Sequence, residues 1–289
     1  NAETLDRDTL RTCARAMRQH PRFDQAQRRF AGNMLEAFEN HQPLNRLLRG
    51  ENELAFLAFV LSLHHGRDST DPESGATYSR VIELFGLLKL GSPTLVKALL
   101  ALTRLRGQLQ IEPVIGSRTK LLIPTEKLLN TLQVWLHANL GAVELIVPLP
   151  ETATELAARP EMLYQIFSYA VSAYVHNQFF LSEDFPPVRA FMARNHGYLI
   201  LMALIASAER TPDGRVIAST PSAELARRLS VSRGTVRNML NQAQHHGWVA
   251  SISRGSYEVQ LSPEFAELCN DWMSMELTWM GGVAGTAWE

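Results

Sequence analysis

The chain has 289 residues, 46% of them hydrophobic and 20% charged, with a formal net charge of −1. This composition excludes extensive disorder and leaves room for two domains, each able to bury its own core. Near neutrality excludes a generic basic coat for nucleic acid, and two cysteines in distant helical contexts, Cys13 and Cys269, exclude a disulfide framework and fit reduced thiols in a cytoplasmic protein.

Taken in chain order, the first signals are His20-Pro21 ahead of a helix carrying aromatic residues, and the apolar helix Glu53 to Leu63 (ELAFLAFVLSL). A polar loop, Arg67 to Gly75, separates it from SPTLVKALLALTRLRGQLQI, a helix from Ser92 that ends at Gly107. A hairpin follows, with strands over Leu109–Glu112 and Lys120–Ile123 and a loop from Pro113 to Thr119; a helix around Trp135 comes next. Pro160 to Leu181 is rich in aromatics (Tyr164, Phe167, Tyr169, Tyr174, Phe179, Phe180). Helices there either line a pocket for an unidentified small-molecule effector or form the core between domains, and core is the preferred reading. Gly197 to Ser207 (GYLILMALIAS) is a second apolar helix. The apolar run from Tyr198 to Ala208 is 11 residues long, too short to span a bilayer.

The most informative segment runs from Ser222 to Leu261 and reads as helix, tight turn, helix and two-stranded hairpin. Arg215 to Ala218 supplies a short strand before it. Thr220 is expected as an N-cap, with Pro221 at the first helical position. Leu225, Ala226 and Leu229 sit at helical spacing; Val231-Ser232 stops and restarts the chain; Val236, Met239, Leu240 and Ala243 form the next buried stripe. Ser230 stands where such a turn often carries glycine. Gly247 ends the second helix, and Val249–Ser253 and Tyr257–Leu261 are the strands, joined by Arg254-Gly255-Ser256. Between its apolar positions the second helix exposes Arg233, Thr235, Arg237, Asn238 and Asn241, donors and acceptors of the kind that read base edges in a major groove. Ser232 at the helix start and Arg254 at the hairpin tip suit phosphate contacts.

The same plan occurs twice. Ser92, Val96, Leu100 and Gly107 align with Ser232, Val236, Leu240 and Gly247 at a constant separation of 140, with the first hairpin loop about two residues longer. The two apolar helices, the two proline-started helices and the tryptophan helices around Trp135 and Trp272 repeat near that offset, which indicates tandem duplication. The copies differ in two ways. The first shows Pro93, Thr94, Lys97, Ala98 and Ala101 where the second shows Arg233, Gly234, Arg237, Asn238 and Asn241, and it lacks a strand before its helices. Charge is uneven too. Ser222 to Gln260 has five arginines against two glutamates, net +3; Ser92 to Lys120 is +4; Pro263 to Glu289 has five acids and no lysine or arginine.

Helix, turn, helix and hairpin in this spacing resemble the winged helix-turn-helix of bacterial transcription regulators in the broad MarR, GntR and Crp sense. The resemblance implies a mainly α fold with small β wings, as two tandem winged-helix domains with flanking helices, over residues 1–141 and 142–289. It implies a cytoplasmic, sequence-specific regulator that places residues 232–246 in the major groove of double-stranded DNA. The second copy would read bases, while the first contacts backbone through Lys97, Arg104, Arg118 and Lys120 or acts as scaffold. Two alternatives are a plasmid replication initiator, which also resembles paired winged helices, and a winged-helix protein–protein adaptor in chromosome organisation. A homodimer is expected, because one reading helix covers only about 4–6 base pairs.

Enzymatic motifs are missing: no phosphate-cradling glycine loop, no GxSxG, no HExxH and no CxxC. No cofactor or metal is expected. His64-His65 and His245-His246 are adjacent pairs whose members point about 100° apart on a helix, a poor geometry for sharing one metal. Phe265, Leu268, Trp272, Met275 and Trp279 recur at spacings of 3 and 4 after Ser262-Pro263; that stripe either packs within the chain or forms a dimer seam. Gly281-Gly282 reads as a flexible end.

Overall fold

Helix-forming stripes punctuated by serine and threonine caps give a mainly helical chain with two small antiparallel sheets. The computed structural model describes residues 7–47, 51–68, 70–71, 74–177, 181–194, 196–219, 221–253 and 258–285. The N-terminal helices are α1 (Arg7–Arg18), α2 (Phe23–Asn40), α3 (Gln42–Leu47), α4 (Glu51–His65), α5 (Tyr78–Leu87) and α6 (Pro93–Leu105). The hairpin β1 (Leu109–Pro113) and β2 (Lys120–Pro124) follows, then α7 (Glu126–Val143), α8 (Ala153–Ala157) and α9 (Pro160–Asn177). A 3₁₀ turn (Leu181–Asp184) leads to α10 (Pro186–Met192), α11 (Gly197–Ser207), β3 (Ala208–Arg210) and β4 (Val216–Ser219). The chain continues through α12 (Ser222–Arg228), α13 (Arg233–His245), β5 (Val249–Ile252), β6 (Glu258–Leu261) and α14 (Pro263–Val283). Among the described residues no helix is long and apolar enough to cross a membrane.

Two stretches share their local chemistry almost atom for atom. Ser92 caps α6 through Leu95 N–H, and Ser232 caps α13 through Thr235 N–H. Gly107 and Gly247 end these helices at φ +69° and +75°, where the next amide reaches back to Thr103 O and Ala243 O, both at 2.9 Å. The turns before them pass through Lys89 and Ser230, left-handed at φ +53° and +55°, so serine does take the position that glycine often fills. After each hairpin, Thr125 and Ser262 cap α7 and α14, and their own amides bond Gln108 O and Trp248 O. The separation is 140 at the caps and glycines but 137 at these last helices, so the first hairpin is three residues longer as a whole, by one residue in each strand and one between them.

The sheets differ. In the second stretch β4 pairs along β6 and β3 along β4, giving the order β3-β4-β6-β5. In the first, the strand that the sequence shows as lost survives as one bridge, Thr77 to Leu121, with Leu122 N–H on Ala76 O at 2.7 Å. Thr220 lies outside the described residues. Pro221, whose carbonyl accepts Leu225 N–H at 2.9 Å, stands just before α12 and not at its first helical position.

One hydrophobic cluster extends from Leu10 to Ala284 and draws on both halves. Helix α2 packs on α7 and also on α11; α9 packs on α4, α8 on α7, and α1 on α14. Residue 141 lies inside α7. The stripe on α14 is internal: Phe265, Trp272 and Met275 are buried, and Leu268 and Trp279 are packed against the core, so it is not a free dimer seam. Gly281 and Gly282 are the last turn of α14, with Gly281 buried, and not a loose end.

Two positions test this packing. A Cβ on Gly197 would sit 1.9 Å from Phe191 O and 3.2 Å from Met239 Cε, because α10 and α13 both press on the start of α11. Helix propensity alone favours Gly197→Ala by about 1 kcal/mol. Backbone overlap wins, and we expect the variant to lose on the order of 2–3 kcal/mol in urea unfolding; an unchanged or raised midpoint contradicts the packing.

Glu276 is the second position. It is mostly buried on α14, accepts a hydrogen bond from Trp272 Nε1 at 3.0 Å, and has its pKa pushed up by burial to about 7 from 4.5. A carboxyl whose folded pKa is raised contributes stability below its unfolded pKa and loses it as pH climbs through the folded value. Stability should therefore fall between pH 5 and pH 8 by on the order of 2–3 kcal/mol more in the wild type than in Glu276→Gln. Equal pH slopes for the two chains would show that this carboxyl titrates normally.

Candidate nucleic-acid interface

The second helix pair presents the exposed polar face that the sequence describes. Leu225, Ala226 and Leu229 bury one side of α12. Its end is closed by Val231 N–H on Ala226 O at 2.9 Å and Ser230 N–H on Arg227 O at 3.2 Å. Val236, Met239, Leu240 and Ala243 bury one stripe of α13. Two further contacts fix the pair against the core. Arg228 Nε donates to Glu39 Oε2 of α2 at 2.8 Å, and Met239 lies against Gly197.

Opposite the stripe, Ser232, Arg233, Arg237, Asn238 and Asn241 are exposed and Thr235 is half-buried. At about 100° per residue, Gly234, Asn238, Asn241 and His245 stand directly away from the buried stripe, while Arg233, Arg237 and Gln244 line one edge. Arg233, Arg237, Asn238 and Asn241 make no hydrogen bond or ion pair with other described residues. Ser232 and Thr235 are different. Their hydroxyls lie 2.9 Å apart and the Ser232 oxygen accepts Thr235 N–H at 3.0 Å, so both are engaged in the helix cap. The amides of Arg233 and Gly234 precede the first helical bond and stay open at the positive end of the helix. No side chain on Gly234 stands in front of them.

Gln244 and His245 are the members of this face that sequence reasoning left out of its reading set; their helical offset from Arg233 and Asn241 was the available signal. Arg254 lies outside the described residues. The hairpin it belongs to is anchored at its base by Trp248, which stacks on His246 at 4.7 Å and on Phe265 at 6.0 Å and packs on Phe191 at 5.9 Å. The other histidine pair is also aromatic packing: His64 and His65 lie 5.8 and 5.5 Å from the Tyr164 ring, and burial with nearby Arg67 lowers the His64 pKa. Among the described residues no three His, Cys, Asp or Glu side chains converge as a metal site.

The first helix pair presents other chemistry. Lys97, Ala98, Ala101 and Arg104 are exposed on α6, and Arg118 and Lys120 on the hairpin. Lys97, Arg104, Arg118 and Lys120 form no ion pair among the described residues. Between them stand apolar side chains in full view of solvent, Leu105 at 86% exposure and Ile115 at 101%. So the structure brings Ser232, Arg233, Thr235, Arg237, Asn238 and Asn241 together on one helix, and sets Lys97, Arg118 and Lys120 on a separate helix and hairpin. Comparison with protein-family models, curated proteins and solved structures finds no match.

Proposed function

We propose that the chain is a sequence-specific DNA-binding transcription regulator of the cytoplasm, built from two tandem winged-helix units, residues 1–141 and 142–289, that share one core. Helix α13 enters the major groove, and its wing, β5 and β6, lies over the flanking backbone. The observation that carries this reading is the unpaired polar face of α13. The side chains of Arg233, Arg237, Asn238 and Asn241 are exposed, satisfied by no other described residue, and mounted on a helix whose start, end and register are fixed by caps. Arginine reads guanine and asparagine reads adenine through paired hydrogen bonds, while open amides at a helix N-terminus receive a phosphate. The first unit offers Lys97, Arg118 and Lys120 as backbone contacts, but alanines at 98 and 101 give it no hydrogen-bonding edge. Exposed Leu105 and Ile115 favour a second role for that unit, contact with protein, which is the adaptor reading confined to one half of the chain.

Fluorescence anisotropy on a site recovered by selection from random duplexes tests the division of labour. Arg233→Ala or Arg237→Ala should cost on the order of 1–3 kcal/mol on that site and relax its sequence preference. Lys97→Ala should cost less, weaken all duplexes alike and lower the salt slope by about one charge. Loss of preference with Lys97→Ala and none with Arg237→Ala would assign reading to the first unit. No change from any of them would remove DNA from the proposal.

Homodimerisation completes the proposal, since a single reading helix spans too few base pairs for useful specificity. Its surface is neither the α14 stripe nor the buried face of α9, both of which are internal. Light scattering should give twice the 32.4 kDa chain mass at micromolar concentration. A monomer both free and on DNA would rule the dimer out.

A further inference from the structure

Where α4, α7, α9 and α14 meet, with α1 beside them, the core leaves a cavity of about 220 Å³. Its walls are almost wholly apolar and aromatic, with Phe59 from α4, Trp135 from α7, Phe167 and Tyr169 from α9, and Trp279 from α14. Native interiors leave few voids larger than a water molecule, and an apolar cavity of about 150 Å³ already takes up benzene. The Glu276 carboxyl breaks the pattern. It lines this cavity, and its one hydrogen bond among the described residues comes from Trp272 Nε1.

Among the described residues no cation is placed to neutralise it. Arg7 and Arg11 of α1 are paired with Asp184 of the 3₁₀ turn, and Arg18 with Glu267 and Asp271. The titratable group facing Glu276 from α11 is Tyr198, whose own pKa is raised by burial and by this carboxyl. A carboxyl left without a counter-ion in an apolar pocket holds its proton more tightly, as the value of about 7 reflects.

Different guests meet this cavity differently. An anion is repelled. A neutral apolar molecule fills the space but leaves the carboxyl unpaired. A cation pairs with it and is also drawn to the faces of Trp135, Tyr169 and Trp279. The carboxylate oxygen without a partner asks for an N–H donor, which a quaternary ammonium lacks, and the volume admits one ring or one compact branched group. We propose that this cavity binds a small primary ammonium ion carrying one aromatic or branched apolar group, with its ammonium on Glu276 and its apolar part among Phe59, Trp135, Phe167 and Trp279. The inference rests on the cavity alone. It stands or falls separately from the DNA-binding reading.

Calorimetric titration of the full chain at pH 8, without DNA, tests it with three probes of one shape: 2-phenylethylammonium, 2-phenylethanol and phenylacetate. The ammonium probe should bind once per chain, the alcohol on the order of tenfold more weakly, and the acid not at all. Glu276→Gln should bring the ammonium probe down to the level of the alcohol. Ala173→Phe, which fills the cavity from α9, should abolish both; circular dichroism confirms that each variant is folded. The proposal is overturned if the folded wild type binds no ammonium probe at millimolar concentration, or if it binds ammonium and alcohol alike. It is equally overturned if Glu276→Gln keeps the preference or Ala173→Phe leaves binding intact.

Discussion

Everything in this molecule is referred to helix α2. Its 18 residues bury Phe23, Ala26, Phe30, Ala31, Met34, Leu35 and Phe38, and two neighbours share that surface, α7 from the first half and α11 from the second. An α-helix that packs on both sides cannot present a separate core to each half, so the halves fold around each other. The exchange is reciprocal. Helix α9, which starts at Pro160 as α2 starts after Pro21, packs on α4, the apolar helix of the first half. Helix α1 likewise lies on α14, and α8 on α7. Two units joined by a linker would move independently; two units that trade helices hold their outer surfaces in a fixed relation.

Helix α13 inherits its position from that arrangement. Helix α11 is apolar on every side because it is surrounded, by α2, by α10 and by the sheet strand β4. Its first residue must be glycine, since Phe191 O and Met239 occupy the space a side chain would need. Through Met239 the buried stripe of α13 is set on α11, and through Arg228 and Glu39 the partner helix α12 is tied to α2. Trp248, packed among His246, Phe191 and Phe265, does the same for the hairpin. Side chains carried on a helix fixed at so many points keep their geometry without help from a partner, which is what the proposed base reading demands.

How much of this could be read from the sequence depended on the range of the interaction. Caps, turns and buried stripes are decided within a few residues, and Ser232, Gly247, Val236 and Leu240 all behave as their spacing says. Of the two readings of the α14 stripe, packing within the chain is the one the structure shows, and the spacing alone could not choose it. Spacings of 3 and 4 mark any helix with one buried side, and they cannot show that Met273, Ser274, Leu277 and Thr278 between them are buried as well. A helix enclosed on several faces has no seam to offer. Strand β3 and the single bridge at Thr77 were equally hidden, because pairing with a distant strand decides them and local propensity does not. The aromatic run from Pro160 to Leu181 left a pocket open as one of its two readings, and Phe167, Tyr169 and Tyr174 do line this cavity; Glu276 has no linear signature, because a lone glutamate on an amphipathic helix reads as solvent-facing until the tertiary fold closes over it.

The two copies of the motif separate what the fold needs from what it does not. They share a serine cap, a left-handed residue in the turn, a glycine at φ near +70° and a hydroxyl that starts the helix after the hairpin, each of which satisfies backbone groups that would otherwise be left open. They differ in the outward positions of α6 and α13, where the fold makes no demand. Glu267 of α14 is matched internally, by Arg18 and Arg210. Helix α13 instead carries two arginines, no acid and two asparagines turned outward with no other described residue to meet them. In α6 the same places hold a proline, a lysine and two alanines. Stability does not choose between these sets, because neither touches the core. The outward set of α13, guanidinium and amide groups at the start of a capped helix, is the surface on which the proposed DNA contact rests.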